Sequence, residues 1–320
     1  MLKDDSFLGD EYNPFNFFDR FGEEVGGERI NDEFHLKNEE IGEIHSILYK
    51  YMDALFIGVT DINLNKDLTF KNKPLHDHKY VSIRIGQAGN FDNKTALLRD
   101  SIYIYNNLQE FEISYPANTN MRWLFIRFPL AFYDLFSEDS QSKLYELISN
   151  DEPWFYYSPI LPQIETLLKD IYLCLEDKSI RRAIFLSKSI ELITQLRLHG
   201  DKNQFKNIVY NIHSDDLKLM IEVKDEILKD YSHQPNLDQL CKKFGISESK
   251  LQRTFKKVFQ KPILQFFNTQ RITEGRKMVK QNTKDLTQIA LELGFSDLSH
   301  FSKVYKKQFG VRPSEDKLMS

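Results

Sequence analysis

Two short stretches hold the residues best suited to chemistry. Ser249, Lys250, Gln252, Arg253 and Lys256 fall within eight positions, and Ser299, His300, Ser302, Lys303 and Lys306 fall within another eight. Base edges are read by short or forked polar side chains, whereas phosphates are clamped by Lys and Arg. Arg253 can bind guanine in bidentate fashion and Gln252 can pair with adenine, each contact giving about 1–3 kcal/mol of discrimination. Lys250, Lys256 and Lys257 stand beside them. In the second stretch Ser299, His300 and Lys303 are the candidate readers and Ser302 and Lys306 the candidate phosphate partners. That stretch has no Arg, Gln or Asn on its first two exposed turns, so its expected part is positioning more than sequence choice. A solvated basic face is the plain alternative for either stretch taken alone.

Two helices must carry each face. Residues 285–313 read as a short helix from Leu286 to Leu293, a glycine turn at Gly294 and a second helix from Leu298 to Phe309, closed by Gly310 and Pro313. Phe301, Tyr305 and Phe309 recur at i, i+4 and i+8 and form a buried stripe, which leaves the basic residues outward. Asp297 reads as the helix-start carboxylate. The pattern occurs once more upstream: Leu237, Leu240, Phe244 and Gly245 match Leu286, Ile289, Leu293 and Gly294 at an offset of 49, and Leu251, Phe255 and Phe259 match Phe301, Tyr305 and Phe309 at 50. Arg253 then aligns with Lys303 and Lys256 with Lys306. Such an internal repeat means two like units. Between them Pro262 suits a first helical turn, and a helix from Ile263 to about Gln281 would span roughly 28 Å, close to the roughly 34 Å repeat of one B-DNA groove face.

On these residues the chain resembles the AraC/XylS family of bacterial transcription regulators. The run IALELGFSDLSHFSKVYKKQFGVRPSE, the earlier FGISESKLQRTFKKVF and Arg271 in the connecting helix carry the resemblance, which covers about a third of the chain, residues 215 to 318. It implies a seven-helix bipartite domain that binds double-stranded promoter DNA, a contact with RNA polymerase, a homodimer, and a cupin-like N-terminal domain for a small effector.

The charge is divided in the same way. Residues 221–320 hold 19 Lys+Arg against 12 Asp+Glu, net +7, while residues 1–220 hold 24 against 35, net −11. A basic terminal module on an acidic body suits phosphate attraction confined to one domain. The 320 residues suggest about two domains. No apolar run approaches the roughly 20 residues that span a bilayer, and the acidic start MLKDDSFLGDEY is unlike a signal peptide, so the expected location is cytoplasmic. Cys174 and Cys241 have no paired spacing and read as small buried residues.

From about 43 to 130 the chain reads as strands, among them Tyr80 to Ile85, Ser101 to Tyr105, Phe111 to Tyr115 and Trp123 to Phe128, separated by turn residues. Such a series predicts a small β-sandwich or barrel. His76-Asp77-His78 on a strand would point both imidazoles to one face, as a metal site needs, but no further histidine follows before His199. The plainer reading is a strand entry or pocket rim, and no metal or cofactor is expected. His76, His78, Tyr80, Arg84 and Trp123 are the polar and aromatic candidates for lining a pocket, whose ligand no motif identifies.

Residues 129–150 and 163–199 return to helical spacing. The apolar stripes of the last two helices would either dimerise two subunits or pack on their own sandwich. Clustered aromatics (Phe15, Phe17, Phe18, Phe21) make residues 1–30 read as a flexible arm that docks on the body or as a poorly ordered terminus. The resulting architecture is α+β: a cupin-like sandwich with flanking helices over residues 31–199, a linker over 200–214 and an all-α domain over 215–320, with helix-turn-helix units at 237–259 and 286–309 joined by a linker helix. Asp215 or Asp216 would cap the first helix of that domain. The reading is a sequence-specific, effector-responsive transcription regulator and not an enzyme, since no nucleophile elbow, phosphate loop or paired carboxylate motif is present. The competing classes are a metal-dependent cupin enzyme with an accessory DNA-binding module, and a protein whose basic helices bind an acidic protein surface.

Overall fold

The structure is a computed structural model that describes residues 6–9, 12–52, 54–88, 99–134, 142–202 and 208–318. Its contacts divide the chain into two compact units, with the boundary between Lys218 and Leu219.

Twelve strands build the N-terminal unit: β1 (Ser6–Gly9), β2 (Glu28–Ile30), β3 (Glu33–Asn38), β4 (Gly42–Tyr51), β5 (Leu55–Leu64), β6 (Leu68–Asn72), β7 (Tyr80–Ala88), β8 (Arg99–Asn106), β9 (Phe111–Tyr115), β10 (Asn120–Pro129), β11 (Trp154–Ser158) and β12 (Ile208–Tyr210). Its helices are α1 (Pro14–Val25), α2 (Leu130–Asp134), α3 (Lys143–Ser149), α4 (Pro162–Leu173) and α5 (Arg181–Lys202). Nine strands form one antiparallel sheet in the order β12-β11-β8-β7-β10-β5-β4-β3-β2, and β1, β6 and β9 form a small second sheet. The expected sandwich is therefore very unequal. Strand alternation gives the large sheet two different faces. One carries Ile47, Ile57, Ile83, Ile104 and Ile126, which are buried with Ile164, Leu167, Leu168 and Ile171 of α4 and Phe185, Leu192 and Ile193 of α5. The apolar stripes of these two helices are thus used on their own sheet.

The other face borders a cavity of about 130 Å³, closed by the small sheet and by Pro14, Phe17, Phe18 and Phe21 of α1. Of the two readings of residues 1–30, a poorly ordered terminus does not describe residues 12–30, which are packed on the sheet. Asn13 caps α1 by accepting from the Phe15 amide, β1 pairs with β6, and Phe21 packs edge-on against Phe7 at 4.6 Å. Phe21 is buried and Phe15, Phe17 and Phe18 are half-buried, so docking this helix removes apolar area that a loose arm would leave in water.

Four further expectations are corrected. The polar stretch 200–216 is not irregular throughout: α5 runs to Lys202, β12 pairs with β11, and the next helix starts at Ser214 with Asp215 and Asp216 inside its first turn. His76 and His78 lie in the turn between β6 and β7, exposed and off any strand, with His78 stacked on Tyr12 at 4.0 Å. Of the proposed pocket-liners Arg84 and Trp123 border the cavity, while His76, His78 and Tyr80 do not. Cys174 is buried and Cys241 only half-buried.

Helices α6 (Ser214–Ile227), α7 (Leu237–Phe244), α8 (Glu248–Phe259), α9 (Ile263–Gln281), α10 (Leu286–Glu292), α11 (Leu298–Phe309) and α12 (Pro313–Leu318) follow. From Leu219 onward they make the C-terminal unit. Among the described residues no helix is long and apolar enough to cross a membrane.

Gly294 ends the α10 turn at φ +70°, and a Cβ there would lie 2.0 Å from the Ser232 carbonyl oxygen; Gly245 holds the matching place after α7 at φ +62° with nothing near its missing Cβ. Positive φ alone costs a residue with a Cβ about 1–2 kcal/mol. Gly245→Ala should lose about that much stability and Gly294→Ala about 3 kcal/mol or more, because backbone must also move. Thermal unfolding of the two variants checks this, and equal losses would show that the close approach is relieved without cost.

Candidate nucleic-acid interface

The two helix pairs share their main capping and turn bonds. Asn236 caps α7 by accepting from the Gln239 amide and Asp285 caps α10 by accepting from the Gln288 amide, at an offset of 49. The turns close alike, with the Ile246 amide donating to the Cys241 carbonyl and the Phe295 amide to the Ala290 carbonyl. Ser247 then caps α8 and Asp297 caps α11, through the Lys250 and His300 amides, at an offset of 50. The extra residue therefore lies between Phe295 and Asp297 and is Ser296. Backbone N–H groups bonded to Asp297, helped by the Ser296 hydroxyl, hold its carboxyl below the usual range, as expected at a helix start.

Each second helix is fixed by its apolar stripe. Leu251 and Phe255 of α8 have no exposed surface, and Phe255 packs on Phe259 at 4.5 Å and on Phe266 of α9 at 5.3 Å. Phe301 and Tyr305 of α11 are equally buried against Ile272 and Val279 of α9 and Leu293 and Phe295 of the preceding turn. Burial of each such ring contributes about 1.5–3 kcal/mol. Gly275 on α9 permits the approach, since a Cβ there would meet Leu293 and Phe301 at 2.9 Å. Arg271 is buried on α9 with its guanidinium 4.4 Å from the Phe295 ring centre and 5.5 Å from that of Phe267. It serves packing inside this unit and is not a phosphate clamp.

The opposite faces are open. Ser249, Lys250, Arg253, Lys256, Ser299, His300, Lys303 and Lys306 are exposed, and Gln252 and Ser302 are half-buried. Arg253, Lys256, Lys303 and Lys306 make no ion pair with any described residue, whereas Lys243 at the end of α7 is paired with Glu226 at 2.5 Å and Lys284 before α10 with Glu292 at 2.6 Å. These four cations thus keep their charge available to an anionic surface. The His300 ring is oriented by Ser296 Oγ at 3.3 Å from its Nδ1 and by an edge contact with Phe295.

Residues 240–317 match the family model of a helix-turn-helix domain. The HTH-type transcriptional regulator ArgR of Pseudomonas aeruginosa is 35% identical over 80 residues, which are 25% of this chain and 24% of ArgR. Residues 240–317 therefore form a helix-turn-helix domain. The regulatory protein SoxS of Salmonella typhimurium is 28% identical over 104 residues, 32% of this chain and 94% of SoxS. The chain spans about a quarter of the length of the first curated relatives that it matches. A solved structure of ToxT from Vibrio cholerae aligns with 83% of this chain and 98% of its own at 16% identity, with a TM-score of 0.34.

One group that positions α11 was not foreseen. Asp316 of α12, buried, accepts from Arg276 Nε of α9 at 2.7 Å and from the Tyr305 hydroxyl of α11 at 2.7 Å. Burial disfavours its charge, but these hydrogen bonds outweigh that and hold its carboxyl below the usual 3.8. A depressed carboxyl stabilises the fold above its unfolded value, and this contribution is lost as pH falls below 3.8 toward the folded value. Asp316→Asn should therefore lower stability at neutral pH and lose less stability than the parent chain between about pH 5 and about pH 3. Melting curves across that range test the assignment, and parallel pH profiles would refute it.

Proposed function

We propose that this protein is a sequence-specific DNA-binding transcription regulator of the AraC/XylS type that places α8 and α11 in successive major-groove faces of double-stranded promoter DNA. The observation that carries this reading is the doubling itself: two helix-turn-helix units with matching caps, turns and stripes each expose a basic face, and a 19-residue helix joins them. At 1.5 Å per residue that helix is roughly 28 Å long, which suits contacts about one DNA turn apart. The relatives named as transcriptional regulators agree with it. Ser249, Gln252, Arg253, Ser299, His300 and Lys303 are assigned to base edges, and Lys250, Lys256, Ser302 and Lys306 to phosphates. A solvated basic face explains one helix but gives no reason for two in matching register.

Arg253→Ala should weaken binding to a specific fragment by about 1–3 kcal/mol and affect random duplex less. Lys256→Ala should weaken both and reduce the slope of log affinity against log salt by about one unit. Competition binding at two salt concentrations measures both, and equal loss for Arg253→Ala on every duplex would remove it from the base readers.

The N-terminal unit is assigned a small effector held in the cavity. Its walls are mainly apolar and aromatic, yet Arg84 and Arg127 border it and none of its described lining residues is a carboxylate. Arg84 donates to the Tyr105 hydroxyl at 2.8 Å, a neutral partner that leaves its positive charge in place. A compound with an apolar body and one anionic group suits this lining. Such an acid should raise the melting temperature and change DNA affinity, whereas its uncharged amide should do neither. Equal effects from both would place the ligand's charge outside the cavity.

A further inference from the structure

On the face of the large sheet turned away from the cavity, register brings together three side chains that are distant in any motif. His35 of β3 and His45 of β4 are directly opposed, and Glu33 lies two residues before His35 on the same face. The imidazoles stack with ring centres 4.3 Å apart and planes 16° apart. Glu33 Oε2 lies 3.4 Å from His35 Nε2 and 3.8 Å from His45 Nε2, and one donor atom from each residue fits within 4.8 Å of the others. Tetrahedral bonds of about 2.05 Å set donors roughly 3.3 Å apart, so small side-chain rotations suffice.

Two details argue that this is more than a surface cluster. His45 Nε2 is shut off from solvent and has no hydrogen-bond partner, a cost of about 1–3 kcal/mol that a native fold seldom leaves without reason. Glu33 is also pinned: Arg181 Nη2 at 2.6 Å and Lys178 Nζ at 3.0 Å both hold Oε1, which leaves Oε2 as the oxygen turned to the imidazoles. Asp61, opposite His45 on β5, is taken by a two-pronged pair with Arg122 at 2.5 and 2.6 Å. Among the described residues Glu33 is the carboxylate whose oxygen meets both imidazoles within 4.8 Å.

We propose that Glu33, His35 and His45 bind one borderline divalent cation of the zinc class, with the fourth position open to solvent beside the exposed His35. The donor set selects the ion. Calcium and magnesium need six or more ligands dominated by oxygen, whereas two imidazoles and one carboxylate match zinc, nickel or copper(II). Lys178 and Arg181 oppose a cation electrostatically, which makes the imidazoles the main source of affinity. The site would tie the β3–β4 hairpin to the turn between α4 and α5, because Arg181 also donates to the Tyr49 hydroxyl at 2.8 Å and the Leu175 carbonyl at 2.7 Å.

The test is titration of the metal-free full chain with zinc against a chromophoric chelator, with magnesium as a control. One zinc site per chain is expected, weakened at least tenfold in both His35→Ala and His45→Ala and unchanged in the His76→Ala, His78→Ala double variant. His35 is exposed, so its removal leaves the fold intact even if His45→Ala does not. Failure to bind zinc, or binding that persists in His35→Ala, overturns the proposal. DNA binding is not used as the readout, so the result stands apart from the regulator reading.

Discussion

A helix can offer a fixed polar face only when its other face is held, and this constraint organises the C-terminal unit. The stripe Phe301–Tyr305 has no exposed surface, so rotation of α11 about its axis would draw aromatic rings into water. Arg276, Asp316 and Tyr305 add a polar lock between α9, α12 and α11. A carboxylate with two donors in a buried site is directional, whereas ring packing tolerates sliding. Together they set both the rotation and the axial position of Lys303 and Lys306. In α8 the stripe is held by Phe255 and Phe259 packed against Phe266, with Leu251 and Val258 buried beside them.

The C-terminal unit was largely legible because its information is local. Stripe spacing, turn glycines and caps lie within a dozen residues of one another, and their duplication at offsets of 49 and 50 checks each copy against the other. Asp316 was not legible. Its partners are 11 and 40 residues away, and an acidic residue near the chain end ordinarily reads as solvated. The N-terminal unit was legible as strands and helices but not as sheets, because strand order is a long-range property. Trp154–Ser158 illustrates the difficulty: fully buried within the nine-stranded sheet, it shows no alternation to mark it as a strand. The same logic left both readings of the arm open, since Phe17 and Phe21 count as a buried face only once Phe70 and Phe34 are brought to them.

The histidines show how register overrides motif. His76 and His78 have the spacing that would align two imidazoles on a strand, yet Leu75 and the residues around it form a turn, where a two-residue period has no meaning. His35 and His45 have no motif spacing at all. They meet because the β3–β4 hairpin pairs them across its width, and opposed residues share a face. In a chain of antiparallel strands the relevant distance is from the hairpin's centre, not along the sequence.

That parity also separates the two assignments made for one sheet. His45 points toward the helical side, and its neighbours Ile44 and Ser46 border the cavity. A shift of one residue in the β3–β4 register would exchange these faces, putting imidazoles into an apolar chamber and Ile44 into solvent. Leu36 and Ile44, buried as an opposed pair, resist such a slip on one side of the histidines, and Phe34 against Ser46 resists it on the other. Ile44, which borders the cavity, thus also helps to hold the Glu33, His35 and His45 side chains in register. Substitutions that repack one face will be felt on the other through the strand they share.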